Sequence, residues 1–130
     1  MPAFDTNVLV RVLVGDDPAQ TRKAERAFVE HAKGPEGVFV SLVVLAEVAW
    51  VLAAAYAWDR ATIHERLSRL VRTRGVVLED LDLVEAALES YRAGKADLPD
   101  YLIIGKAQSV RADLLTFDKR LARENGVTLL

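Results

Sequence analysis

The 130-residue sequence contains no cysteine. Disulfides, thiolate catalysis and cysteine-ligated zinc are therefore excluded, and a reducing cytosol suits the chain. Histidine is nearly missing too: His31 and His64 stand far apart, so a histidine-rich metal site is not expected. An excess of one charge is lacking as well, since 17 Lys and Arg face 19 Asp and Glu, for a formal charge of −2 and a pI of about 5.7. That balance argues against coating nucleic acid by bulk charge and leaves site-specific RNA or DNA chemistry open. The seven glycines nowhere form G-x-G-x-x-G after a strand, which removes the dinucleotide-binding fingerprint. The start, "MPAFDTN", lacks the basic and long apolar regions of a secretory signal, so a cytoplasmic location is expected.

What is present is apolar material: 52% of the residues are hydrophobic, enough for a sizeable core in one domain spanning residues 1–130. The run Val38 to Trp58, "VFVSLVVLAEVAWVLAAAYAW", has about the ~20 residues that cross a bilayer. Glu47 would then sit near the bilayer centre at a cost of roughly 2.5–3.5 kcal/mol. The β-branched "VFV" followed by an alanine- and leucine-rich part instead predicts a strand running into a core helix, with no membrane.

The rest of the chain alternates in the same way. A very short strand ends near Asp5 and leads to a helix over about 7–14. A second helix has Asp17 as N-cap, Pro18 at its first position and Gly34 closing it. Strand Val38 to Ser41 and the apolar helix to about Tyr56 follow. Then come an amphipathic helix ended by Gly75, a strand in "VVLE", a helix over about 82–93, and a helix entered through Asp97. A strand in "DLLTF", a short helix in "DKRLARENG" and a final strand "VTLL" complete the chain. Short apolar strands alternating with helices predict an α/β class fold, a three-layer α/β/α sandwich with a mainly parallel central sheet. In such sheets the ligand site lies beyond the carboxyl ends of the strands.

Acids stand at those places: Asp5 in "FDTN", Asp97 and Asp100 in "ADLPD", and Asp118 in "LLTFD". Each has a plain structural explanation, because Asp caps helices well and Asp97 with Asp100 has capping-box spacing. Glu47 has none. It lies inside its helix with Val43, Val44, Trp50 and Val51 one turn away, and so needs solvent, a cation or a raised pKa. If these acids converge, their repulsion calls for a cation, and hard ions such as Mg²⁺ or Mn²⁺ prefer oxygen ligands. Such an ion can activate water and stabilise charge on a phosphodiester without cysteine, histidine or serine nucleophiles.

The order "DTNVL", "LAEVAWVL", "ADLPDYLI", "LLTFD" resembles the PIN-domain nucleases, and within them the VapC toxins of toxin-antitoxin pairs. The resemblance covers essentially the whole chain. It implies that Asp5, Glu47, Asp100 and Asp118 form an acidic Mg²⁺ or Mn²⁺ site, with Asp97 as an auxiliary acid and Thr6, Asn7 and Thr116 as polar supports. It further implies metal-dependent endoribonuclease activity, silenced by a cognate VapB-type antitoxin. Arg66, Arg69, Lys95, Lys106, Lys119, Arg120 and Arg123 are candidates for gripping RNA, each also explicable as a solvated surface charge.

Two other enzyme classes fit less well: a haloacid-dehalogenase-type phosphotransferase wants a second Asp where Asn7 stands, and a Rossmann domain wants the missing glycines. The alternative from another class is a PIN-fold protein that binds RNA or a partner without cutting. A complete set of repelling acids argues against it. The aromatics Trp50, Tyr56 and Trp58 suggest more surface than a small core needs, and with it a homodimer.

Overall fold

The computed structural model describes every residue from Met1 to Leu130. The chain divides into two compact units, Met1–Leu81 and Asp82–Leu130.

In the first unit, Asp5 is extended and accepts the Val8 N–H at 3.0 Å, which starts helix α1, Thr6–Val14; Gly15, in the left-handed region at φ 71°, ends it. Asp17 caps α2, Pro18–Ala32, through the Gln20 N–H at 3.0 Å. Strand β1, Val38–Val40, passes through Ser41, whose hydroxyl caps α3, Leu42–Ala54. Asp59 then caps α4, Arg60–Arg72, and β2, Val76–Leu78, follows. The Val38 to Trp58 run is thus divided between strand and helix, and no helix is long and apolar enough to cross a membrane.

β1 and β2 pair in parallel, with Val38 opposite Val76 and Val40 opposite Leu78. The expected first strand is reduced to a single parallel bridge between Ala3 and Phe39. Its two hydrogen bonds, Phe39 N–H to Pro2 O and Phe4 N–H to Phe39 O, bracket that bridge before the Asp5 cap turns the chain into α1. Leu9, Val38, Val40, Leu45, Val48, Leu52 and Leu67 are sealed from solvent in this unit. Each contributes about 1.5–3 kcal/mol of burial. Gly75 adopts φ 90°, and a Cβ there would collide with the Ala32 carbonyl, so only glycine lets the chain turn from α4 into β2.

The second unit contains α5, Leu81–Ala93, whose first residue lies at the boundary, then α6, Leu98–Ser109, β3, Leu114–Thr116, and β4, Val127–Leu129. β3 and β4 are parallel, with Leu114 opposite Val127 and Thr116 opposite Leu129. Val84, Leu88, Tyr91, Leu98, Tyr101, Leu102 and Leu121 form its core. The short helix expected in "DKRLARENG" is only a 3₁₀ turn, Leu121–Arg123. Asp118 folds its carboxylate back onto the N–H groups of Arg120 and Leu121, the Ala122 N–H reaches the Asp118 carbonyl in one α-type bond, and Glu124 closes on the Leu121 carbonyl before Gly126 at φ 78°. All strand pairing is parallel and helices dominate, consistent with the expected α/β/α class.

Candidate active site

In the first unit, Asp5 is exposed at the N-terminus of α1 and spends Oδ1 on its cap to Val8. Thr6 and Asn7 form the first turn beyond it. Asp5 and Asn7 also line a groove of about 510 Å³ that continues past Val8, Arg11, Gln20 and Lys23. Arg11 is committed within that groove. It donates to Gln20 Oε1 at 2.8 Å, to Asp16 Oδ1 at 3.1 Å and to the Tyr56 hydroxyl at 3.2 Å. The Tyr56 hydroxyl donates to Asp16 Oδ2 at 2.7 Å, and this bond, with the guanidinium beside it, holds the Asp16 carboxyl below its usual range.

Of the three environments open to Glu47, the structure provides solvent. The side chain is exposed on α3, on a stripe with Val43 at 75% and Trp50 at 64% relative exposure. The opposite face of the helix, Leu42, Leu45, Val48, Ala49 and Leu52, is buried. Glu47 therefore meets its need through solvent, and its apolar neighbours are exposed with it. Of the three aromatics, Trp50 is exposed and the other two are half-buried: Tyr56 belongs to the Arg11–Asp16 network, and Trp58 lies under the Arg66 guanidinium at 5.2 Å.

The second unit brings three acids into one electrostatic neighbourhood. Asp97 is the N-cap residue of α6 and Asp100 stands one turn on, as a capping box in which the Asp97 N–H donates to Asp100 Oδ2 at 3.4 Å. Asp118 stands one residue beyond the end of β3, after Phe117. Its N–H donates to Thr116 Oγ1 at 3.0 Å, and its Oδ1 accepts from Arg120 at 2.8 Å and Leu121 at 3.2 Å. Partial burial pushes the Asp100 carboxyl above its ordinary range; the Asp97 N–H bond opposes this, and the charges of Asp97 and Asp118 add to it.

The capping interpretation of Asp5, Asp97 and Asp118 is thus what local geometry displays. It engages Oδ1 of Asp5 and of Asp118, so capping does not consume the whole carboxylate. No group of three or more Asp, Glu or His side chains closes into a cage tight enough for an ion. The larger cavity, about 790 Å³, borders the amino ends of β1 and β2 among Phe28, Ala32, Lys33, Gly37, Arg74 and Val77, away from the strand ends that carry acids. Its one acid, Glu36, pairs with the chain's amino terminus at 2.6 Å.

Two of the proposed RNA-gripping cations are used internally. Arg66 donates to the Leu13 carbonyl at 2.8 Å besides covering Trp58, and Arg69 pairs with Glu65 at 2.8 Å. Lys95, Lys119, Arg120 and Arg123 are exposed. Sequence analysis missed Glu79, which follows β2 and accepts the Leu42 N–H at the start of α3 at 3.1 Å. It also missed Glu124, which accepts the Tyr101 hydroxyl at 2.7 Å. An acid directly after a strand was a signal for Glu79; nothing local marks Glu124.

Residues 3–126 match the PIN domain, and the chain belongs to that family. Its fold is the PIN-domain fold, helix-rich with parallel strands. The chain is similar to the VapC ribonuclease of Aquifex aeolicus (strain VF5), with 24% identity over 124 residues, 95% of this chain and 91% of that protein. Among solved structures it is similar to a toxin-antitoxin complex from Klebsiella pneumoniae, at 27% identity, 98% and 96% coverage and a TM-score of 0.39. It is also similar to VapC20 of Mycobacterium tuberculosis, a sarcin-ricin loop cleaving toxin, at 20% identity, 95% and 94% coverage and a TM-score of 0.44.

Proposed function

We propose that this PIN-family chain is a divalent-metal-dependent endoribonuclease of the VapC type, the toxin of a toxin-antitoxin pair, acting as one nuclease domain over residues 1–130. The observation that carries the proposal is the crowding of Asp97, Asp100 and Asp118 at the end of β3 and the start of α6, in a chain whose PIN match spans almost its full length. A carboxyl whose proton affinity burial and neighbouring carboxylates raise suits a divalent cation, since a cation relieves the repulsion and an all-oxygen donor set suits Mg²⁺ or Mn²⁺. Asp5, Glu47, Asp100 and Asp118 would hold the ion. When bound it would supply Lewis-acid activation of water and neutralise charge on the phosphodiester.

The chain's own residues have supporting tasks. Thr116 fixes the Asp118 backbone through its hydroxyl, and Asp97 orients the first turn of α6 under Asp100. Lys95, Lys119, Arg120 and Arg123 supply exposed positive charge for RNA phosphates, within a chain of formal charge −2. The exposed Val43 and Trp50 beside Glu47 support a protein partner, a second copy or an antitoxin segment that covers the acids. A homodimer in the cytoplasm, silenced by a cognate antitoxin, completes the proposal.

The test is hydrolysis of labelled RNA by antitoxin-free protein. Cleavage is expected with Mg²⁺ or Mn²⁺ and none with EDTA. Undiminished cleavage in chelator, or RNA binding without cleavage by folded, metal-supplied protein, would overturn it, the latter in favour of a non-cleaving PIN module.

A further inference from the structure

Helices α1 and α2 both line the groove of about 510 Å³ that begins at Asp5 and Asn7. From α2 come Gln20, Lys23, Ala24 and Ala27, whose spacing puts them on one face of the helix. Ala24 and Ala27, with Val8 on α1, make the wall apolar, and the two alanines are small enough to leave room beside it. Gln20 and Lys23 add polar groups to that wall. An apolar cleft with a few polar groups is the composition of a small-ligand site.

The polar groups are constrained in what they can offer. The Arg11 guanidinium, which can only donate, gives its Nε–H to Gln20 Oε1 at 2.8 Å, and Arg11 is itself held by Asp16 and Tyr56. The amide oxygen of Gln20 is thereby engaged, and the end left for a ligand is the NH₂ group, a donor only. Lys23 is exposed and stands outside the Arg11–Asp16–Tyr56 network, so its ammonium remains for an anion. A ligand that suits the groove therefore has a flat apolar body, an acceptor on its edge and a negative charge. A nucleotide of single-stranded RNA has all three, and proteins read such RNA by the edges of its unstacked bases. The groove is also continuous with Asp5, one of the acids assigned to the nuclease site.

We propose that this groove seats a nucleotide flanking the scissile bond, with Lys23 on its phosphate and the Gln20 NH₂ group on its base, and that the fixed donor selects a keto base. Uracil and guanine carry a keto oxygen where cytosine and adenine carry an amino group, which would set a donor against the Gln20 donor. The choice of RNA as ligand rests on the nuclease reading above; the subsite itself needs no bound ion.

The experiment is binding of labelled uridine and cytidine hexamers to the full chain in EDTA, where the metal-dependent reaction does not run, at several salt concentrations. The two bases are alike in size and differ only along the edge that carries the keto or amino group. The parent should bind the uridine hexamer more tightly by roughly two- to tenfold, the net worth of one hydrogen bond. Gln20→Ala should level the two, and Gln20→Glu, which puts an acceptor in the donor's place, should reverse the order. Lys23→Ala should weaken both hexamers alike and reduce the slope of log affinity against log salt by about 0.7. Both residues are exposed, and melting checks that the variants are folded; if Gln20→Ala is not, Gln20→Glu decides. Equal binding of the two hexamers by the parent, or a preference that survives Gln20→Ala, would overturn the subsite. So would RNA binding indifferent to both residues while a cognate antitoxin loses affinity for the same variants, which would give the groove to a protein segment. None of these outcomes touches the nuclease reading, which stands or falls on Mn²⁺-dependent cleavage.

Discussion

The two units hold their acids in opposite ways. In the first, Asp5 and Glu47 stand exposed on separate helices, one at an N-terminus and the other midway along an apolar stripe. In the second, Asp97, Asp100 and Asp118 share one field, and Asp100 is partly buried within it. The difference separates two costs of keeping carboxylates for chemistry. Glu47 entails the exposure of Val43 and Trp50 around it, a cost in solvent-facing apolar surface. The second unit bears electrostatic repulsion on Asp100, opposed by the Asp97 N–H that donates to its carboxylate. Substitutions should therefore separate function from stability differently in the two units.

The largest expected effect is on cleavage. Glu47→Gln, Asp100→Asn and Asp118→Asn should each lower single-turnover RNA hydrolysis by about a thousandfold, or ~4 kcal/mol of barrier. Stability sharpens the contrast. Glu47 is exposed, so Glu47→Gln should leave metal-free stability within about 0.5 kcal/mol of the parent. A loss of several kcal/mol would instead mean that Glu47 neutralises a buried cation, and a fully active Glu47→Gln protein would remove it from the site.

A smaller effect tests the double use of Asp5. Its Oδ1 caps α1, and Asn caps as well as Asp does, whereas Ala cannot. Asp5→Ala should cost about 1 kcal/mol of stability and Asp5→Asn much less. Both should fail to cleave RNA. An active Asp5→Asn protein would reduce Asp5 to a helix cap and leave the first unit with Glu47 alone.

How much of this was legible in the sequence follows the range of each interaction. The caps at Asp17 and Asp97 and the strand-to-helix change at Ser41 were readable because they act over three or four residues. The links Arg66 to Leu13, Glu79 to Leu42, and Tyr56 to Asp16 were not, because they join residues brought together only by folding. Helix α3 shows a subtler limit. Val43, Glu47 and Trp50 recur at helical spacing, yet apolar residues all round make every face look buried, so the exposed one could not be singled out. The candidate site residues came from the order of four short motifs and their family resemblance; composition alone showed only that acids were available. The crowding around Asp100 needed coordinates.

The smallest expected effect is a pH dependence confined to the second unit. Burial first, then the charges of Asp97 and Asp118, raise the folded-state pKa of Asp100 above its ordinary value of 3.8. A folded pKa above the unfolded one means that the folded state holds the proton more tightly. The associated stability is therefore fully present below 3.8 and is lost as pH rises through the elevated folded value. Asp100→Asn has no such proton to lose. At neutral pH its metal-free form should be more stable than the parent by no more than about 1 kcal/mol, since solvent screens a half-exposed carboxyl. Below the ordinary Asp value the advantage should disappear. Mn²⁺ should reverse the order at neutral pH, because it relieves the repulsion in the parent and finds a ligand missing in the variant. Thermal unfolding across this range, with and without Mn²⁺, checks all three signs. Equal melting of parent and variant at every pH would mean that the three acids of the second unit do not repel, and the contrast between the units would reduce to exposure alone.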